Sequence, residues 1–195
     1  QGDLQSPEEQ FTVDIVAEHG SFSGDVTYLD SGKYRVDFTV LKAGSYQVHV
    51  MTGGTDIYCG LGEENKCSPF TLTVLPGATL ASNCETESSF NPVDSLVEAR
   101  AGEIGKLYLQ AKDAFGNNRI VGGDDVVARF ESVANPDIQY RGNVVDRNDG
   151  SYLITYSIPL AGRFLVSIRI EGEAVKYCIG PSGERWNTRQ YDGIS

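Results

Sequence analysis

Four cysteines, two histidines and two knots of acidic side chains are the residues of this chain best equipped to do chemistry. Cys59, Cys67, Cys84 and Cys178 can cross-link, bind a soft metal or act as nucleophiles. A structural zinc site usually draws a pair of its ligands from positions roughly two to four residues apart. No CxxC pair occurs, and His19 and His49 stand in unrelated contexts, so zinc is not expected. Asp113, Asn117, Asp124 and Asp125 flank one loop, and Asp146, Asn148 and Asp149 another. Calcium prefers such oxygens, but Asp and Asn in turns also hydrogen-bond their own backbone without metal. A phosphate-binding glycine loop, a GxSxG elbow and an HExxH helix are all missing. The expectation is therefore a protein with no catalytic residues, no metal and no cofactor.

Composition narrows the partners. The net charge is −11, from 16 basic against 27 acidic residues. Nucleic-acid binding needs clustered Lys and Arg, so neither nucleic acid nor an anionic membrane surface is an expected partner. No apolar run reaches the ~18 residues of a membrane span. The chain opens QGDLQSPEEQ, with no targeting segment, and is expected to be a mature or excised piece.

The elements that would hold these residues occur twice. Residues 30–50 read DSGKYRVDFTVLKAGSYQVHV, and residues 148–168 read NDGSYLITYSIPLAGRFLVSI. At an offset of 118, Gly32 meets Gly150, Tyr34 meets Tyr152, Gly44 meets Gly162 and Gly54 meets Gly172. Tyr34, Val36, Phe38 and Val40 alternate with polar residues, as do Tyr152, Ile154, Tyr156 and Ile158. A period of two with one polar side is a half-buried strand. Tyr46, Val48 and Val50 make the next strand of one copy, and Phe164, Val166, Ile168 and Ile170 that of the other. Ala43-Gly44 and Ala161-Gly162 supply the reversals between them. Further strands are expected at Leu107, Leu109 and Ala111, at Val126, Ala128 and Phe130, and over residues 138–145. Short strands with turn signals between them and almost no helical period predict antiparallel β-sandwiches in tandem.

These motifs resemble the filamin-type immunoglobulin-like repeat. The second copy carries AGEIGKLYLQAKDAFGNN, then GGDDVVARF, then NDGSYLITYSIPLAGRFLVSIRIEG; the first carries the ending DSGKYRVDFTVLKAGSYQVHV followed by CSPFTLTVLPG. The resemblance covers roughly residues 11–175 and implies an all-β fold of tandem immunoglobulin-like sandwiches. It assigns residues 1–75 to a partial repeat that starts near its third strand, 76–178 to a full repeat, and 179–195 to a tail or the start of a further domain. The strands missing from the first repeat are expected from elsewhere in a longer chain or from a neighbour. No echo of SPFTLTV follows Gly172, so the last strand of the second repeat is undetermined.

Within that fold, Cys59 and Cys67 bracket the hairpin insertion GLGEENK, while Cys84 and Cys178 fall at sandwich ends that can approach. Disulfides Cys59–Cys67 and Cys84–Cys178 are therefore expected, among three connectivities the sequence leaves open. Such bonds imply an oxidising compartment, either extracellular or at the cell surface. The cysteine-bracketed hairpin resembles repeats of gamete-surface adhesion proteins of plants and algae more than cytoskeletal filamin. Filamin-like repeats also accept partner strands at a sheet edge. Carried over by position, that edge is Val126, Val127, Ala128, Arg129 and Phe130, with residues 11–16 in the first repeat. Trp186 and Tyr191 lie off the strand pattern and are expected to pack on the sandwich edge or on a following domain. The function expected is a non-enzymatic structural or adhesion segment, a rod-like spacer that meets protein partners or copies of itself through sheet edges and makes no membrane contact. The alternatives are an intracellular cytoskeletal or ciliary scaffold and a calcium-dependent ligand-binding sandwich.

Overall fold

The structure, a computed structural model, describes residues 11–18, 20–57, 68–87 and 99–175, together with the backbone of 177–179 and 185–187. It divides into two compact units, Gln1–Leu75 and Pro76–Ser195. The described residues form strands, with one 3₁₀ turn at Ala81–Asn83.

In the first unit the strands are β1 (Phe11–Ala17), β2 (Gly20–Ser23), β3 (Asp25–Asp30), β4 (Lys33–Asp37), β5 (Gly44–Thr52), β6 (Thr55–Asp56) and β7 (Phe70–Val74). One sheet runs β2-β1-β5, with β6 and β7 each pairing part of the far side of β5; β3 and β4 form a separate two-stranded sheet. All pairings are antiparallel. Val13, Ile15 and Tyr46 are buried, and Val26, Val36, Val48, Val50, Leu72 and Val74 pack against them.

The second unit holds β8 (Glu85–Glu87), β9 (Ile104–Gln110), β10 (Val126–Ser132), β11 (Gln139–Arg141), β12 (Asn143–Asp146), β13 (Ser151–Ser157), β14 (Phe164–Ile170), β15 (Glu173–Ala174), β16 (Tyr177–Ile179) and β17 (Arg185–Asn187). Its sheets run β11-β10-β14-β15 and β12-β13-β9-β8-β16-β17. Leu107, Leu109, Tyr152 and Ile154 from one sheet meet Ala128, Phe130, Ile168 and Ile170 from the other in a continuous core. This is an immunoglobulin-like sandwich, antiparallel except where β16 runs parallel to β8.

The offset of 118 holds at the level of strand register. Asp25↔Asp37, Val26↔Val36, Thr27↔Arg35 and Tyr28↔Tyr34 correspond to Asn143↔Thr155, Val144↔Ile154, Val145↔Leu153 and Asp146↔Tyr152. Met51↔Asp56 and Thr52↔Thr55 correspond to Arg169↔Ala174 and Ile170↔Glu173. The two-residue turns match as well: Gly53-Gly54 and Glu171-Gly172 all have positive φ, as a tight hairpin of right-handed strands demands.

Two sequence readings need adjustment. The strand over residues 34–40 ends at Asp37. The strand over 138–145 is two strands in different sheets, β11 on β10 and β12 on β13, with Gly142 at the crossing. A Cβ at Gly142 would press on Ile154 at 2.9 Å and Ala128 at 3.1 Å, so the chain can cross there only without a side chain. Gly24 does the same between β2 and β3, where a Cβ would meet Val36 at 2.7 Å. Their N–H groups donate to matching carbonyls, Gly142 to Ala128 (3.0 Å) and Gly24 to Val13 (2.8 Å).

Candidate interaction surface

The acidic knot of the second unit is engaged by protein donors. Asp113 is buried in the loop after β9. Its carboxylate accepts from the Gly77 N–H (2.8 Å), the Phe115 and Asn117 N–H groups (2.9 Å each) and the Asn117 side-chain amide (2.9 Å). Burial works to raise this carboxyl, but those hydrogen bonds outweigh it and hold the pKa at about 2. Asp124 accepts from the Thr79 hydroxyl and from the Tyr152 hydroxyl, each at 2.8 Å. Burial is the main force raising the Tyr152 phenol. Asp146 accepts from the N–H groups of Gly123 and Asn148, and Asp149 from that of Ser151. The Asp125 N–H donates to the Glu171 carboxylate. The loop residues weighed for calcium thus brace turns and strand ends. Among the described residues, no three His, Cys, Asp or Glu groups converge as a metal would require.

In the first unit three polar side chains meet beside β5. His49 on β5 places Nδ1 3.0 Å from Asp56 Oδ2, and Ser68 Oγ donates to Asp56 Oδ1 at 2.5 Å while accepting from the Val50 N–H at 2.8 Å. The Ser68 hydrogen bond, then that of His49, lowers the Asp56 carboxyl. A serine bound to the carboxylate and not to the imidazole is not arranged as a nucleophile and its base. The cluster ties β5 to the two ends of the segment 57–67. The outward alternation of His49 was readable in sequence; its partners, 7 and 19 residues ahead, were not.

Cys84 is buried and free, its thiol donating to the Leu80 carbonyl at 3.3 Å, and burial pushes that thiol up, away from reactivity. The side chain of Cys178 lies outside the described residues, as do Cys59 and Cys67. The backbone of Cys178 pairs with Thr86, two residues on from Cys84. Trp186 is placed by backbone alone, opposite Cys178, and Tyr191 lies outside the described residues.

The edge residues Val126, Val127, Ala128, Arg129 and Phe130 sit on β10. That strand pairs with β14 along its whole length and with β11 only at Arg129, Phe130 and Glu131. Among the described residues, the side of β10 away from β14 is therefore left uncovered around Val126 and Val127, since the Ala128 carbonyl already accepts from Gly142. In the first unit β1 behaves alike: β5 covers Phe11 to Val16, and the pairing with β2 covers Asp14 to Ala17.

A second edge was not singled out in the sequence. In the second unit β13 lies between β12 and β9. Its counterpart β4 pairs with β3 alone among the described residues. Tyr152 and Ile154 are buried, whereas Tyr34 and Val36 are half-buried and Phe38 is 42% exposed. Tyr34 meets Phe11 and Tyr28 edge-on, with ring centroids 4.7 and 5.2 Å away, and Tyr28 remains 59% exposed. The signal was present in the sequence, since nothing before residue 11 echoes Leu107 and Leu109.

No family model matches the chain. Among solved structures it is similar to the Lin-41 filamin domain, with 19% identity and a TM-score of 0.41, over 57% of this chain and 96% of that one. It is also similar to FdeC, an Escherichia coli adhesin, with 18% identity and a TM-score of 0.45, over 85% of this chain and 50% of that one. For InvD of Yersinia pseudotuberculosis the identity is 22% and the TM-score 0.42, over 86% of this chain and 44% of that one. The chain thus spans half or less of the FdeC and InvD structures.

Proposed function

We propose that this chain is a non-enzymatic structural and adhesive segment of a larger extracellular or cell-surface protein, serving as a spacer and as a module for protein–protein contact. The observation that carries the reading is what the two units have in common. Strand register and turn conformation recur at an offset of 118, while polar clusters do not: His49 and Asp56 correspond to Ser167 and Ala174. A repeated scaffold without a repeated reactive group is suited to holding and joining. Open strand edges beside β10 and β4 offer backbone groups that a partner strand can pair with. Surface labelling of intact cells from the native source with an antibody to the chain tests the location. Competition of cell attachment by the soluble chain tests adhesion. Labelling only after permeabilisation, with no competition, defeats the reading.

One observation favours an intracellular scaffold as the second reading: Cys84 is a buried free thiol, at home in a reducing compartment. A non-reducing peptide map of native protein separates the two. Links Cys59–Cys67 and Cys84–Cys178 support the surface placement, and four free thiols support the scaffold.

A further inference from the structure

Two arginines stand opposite each other on the outer face of the β11-β10-β14-β15 sheet. On β10, Ala128, Phe130 and Ser132 are buried, and the alternate positions Val127, Arg129 and Glu131 face outward. On β11, Tyr140 packs against the core while Gln139 and Arg141 are exposed. Arg129 and Arg141 are direct cross-strand partners. The adjacent bond from the Gly142 N–H to the Ala128 carbonyl (3.0 Å) makes theirs the non-hydrogen-bonded position, where opposed side chains lie closest. Like charges directly opposite destabilise a sheet. Among the described residues neither guanidinium has a hydrogen-bonding or ionic partner. Glu131 is held instead by the Gln139 amide at 3.0 Å. Arg35, Arg119 and Arg169, by contrast, each reach a carboxylate or a carbonyl.

The first unit shows that the scaffold does not require this pair. By register, Val13↔Val50 with the Gly24 N–H on the Val13 carbonyl corresponds to Ala128↔Ile168 with the Gly142 N–H on the Ala128 carbonyl. Asp14 and Ser23 therefore hold the places of Arg129 and Arg141, and there the Ser23 hydroxyl donates to the Asp14 carboxylate at 2.8 Å. One copy of the fold closes this position on itself, and the other turns two cations toward solvent in a chain of net charge −11. Carboxylates laid against the two guanidiniums would offset their repulsion, since the guanidinium fork matches a carboxylate bidentately. The surroundings favour a polypeptide over a uniformly charged chain. A sulfated polysaccharide crossing this face would meet Glu131 and, at the strand ends, Asp125 and Glu171, both exposed. A polypeptide can set carboxylates at the arginines and uncharged side chains over Glu131, Val127 and Leu165.

We infer that the outer face of β10 and β11 binds an acidic polypeptide segment of a partner protein, whose carboxylates seat on Arg129 and Arg141. The contact is made by side chains on the face of the sheet and is separate from backbone pairing along its edges. Opposite charge steers the encounter and excludes basic partners. The site gives the interaction-module reading a partner chemistry and rests on that reading. It is measured in solution, without reference to cellular location or attachment, so its failure is distinguishable from a failure of that reading.

The test uses the full chain and a fluorescent synthetic peptide of sequence ETETETETETET, with QTQTQTQTQTQT as its uncharged control. The acidic peptide should bind at least about tenfold more tightly than the control, and added salt should weaken it. Arg129→Asp gives β10 the residue type that the first unit carries at this place. It should lower the affinity at least about tenfold and raise the urea midpoint of the second unit, because a carboxylate would then face Arg141. Arg141→Gln removes one guanidinium and keeps a polar side chain, and should also weaken binding. Equal affinity for the two peptides, no binding of the acidic one, or binding that both variants leave unchanged overturns the inference. So does Arg129-dependent binding of a heparin-derived oligosaccharide that is tighter than that of the acidic peptide, which would give the face to a sulfated polysaccharide. A urea midpoint lowered by Arg129→Asp overturns it as well, because the arginine would then be serving the fold.

Discussion

Tyr152 and Asp124 hydrogen-bond to each other twice. The phenol donates to Asp124 Oδ2 at 2.8 Å and accepts from the Asp124 N–H at 3.0 Å. The pair fastens β13 to the segment entering β10 and so joins the two sheets of the second unit. Tyr152→Phe leaves the ring in place and removes both bonds. It should cost about 1–3 kcal/mol, since a carboxylate loses a donor and an N–H its acceptor. Urea unfolding of the full chain measures this, and a loss confined to the second unit's transition is expected.

Asp113→Asn should destabilise the same unit by about 2 kcal/mol, because an amide replaces a carboxylate that gathers four donors. The pH dependence follows from the depressed pKa. Asp113 contributes its full stability above the ordinary value of 3.8 and loses it as the pH falls toward about 2. Melting temperature against pH should therefore drop more steeply between about pH 4 and pH 2 in the parent chain than in the variant. Parallel curves would refute the assignment.

Gly32 and Gly150 correspond and share a left-handed backbone, with φ of 76° and 82°. Their surroundings differ: nothing lies within 4 Å of a Cβ at Gly32, whereas one at Gly150 would collide with the Arg119 carbonyl. Gly32→Ala should cost about 1 kcal/mol, the conformational penalty alone. Gly150→Ala should cost about 2 kcal/mol more, as overpacking adds to the strain. Thermal unfolding of the two variants side by side decides the point.

Ser68→Ala removes the largest influence lowering the Asp56 carboxyl and leaves the Val50 N–H without its acceptor. Carbon-detected NMR titration should show the Asp56 pKa moving up toward 3.8, and the first unit should melt at a lower temperature. The stabilisation that Asp56 gains from its depressed pKa is present above 3.8 and lost on acidification, so the difference between variant and parent should shrink in acid.

Much of the fold was legible because alternation and turn chemistry are local. Tyr152, Ile154 and Tyr156 alternate toward a core that buries all three, and Gly53-Gly54 marks a hairpin that recurs as Glu171-Gly172. What alternation could not reveal is a change of sheet within one extended run. Residues 139–146 are β-like on both sides of Gly142, yet the first half pairs with β10 and the second with β13, and the crossing point is a position where a side chain would press on Ile154 and Ala128. Partners distant in sequence were equally hidden. Asp124 reads as a turn residue or a calcium ligand, and its bond to Tyr152, 28 residues away, depends on how the sheets stack. The β10 edge was assigned by position from the resemblance, and how much of that strand β11 covers depends on where β11 begins, which alternation does not show.

The crossing at Gly142 also bears on the order of assembly. With no loop between the sheets, the contacts of β10, β11, β12 and β13 are short in sequence: Glu131 meets Gln139 eight residues on, and Val144 meets Ile154 ten residues on. The pairing of β9 with β13 must close far longer loops, as in Leu109 with Tyr152, 43 residues apart. Short closures form early and long ones late. By the same reckoning, the Gly24 crossing and the β3–β4 hairpin give the first unit the early part of the sandwich. There too the hairpin pair Val26 and Val36, ten residues apart, closes ahead of Val13 and Val50, 37 residues apart, so the outer hairpin is in place before the sheet it packs on.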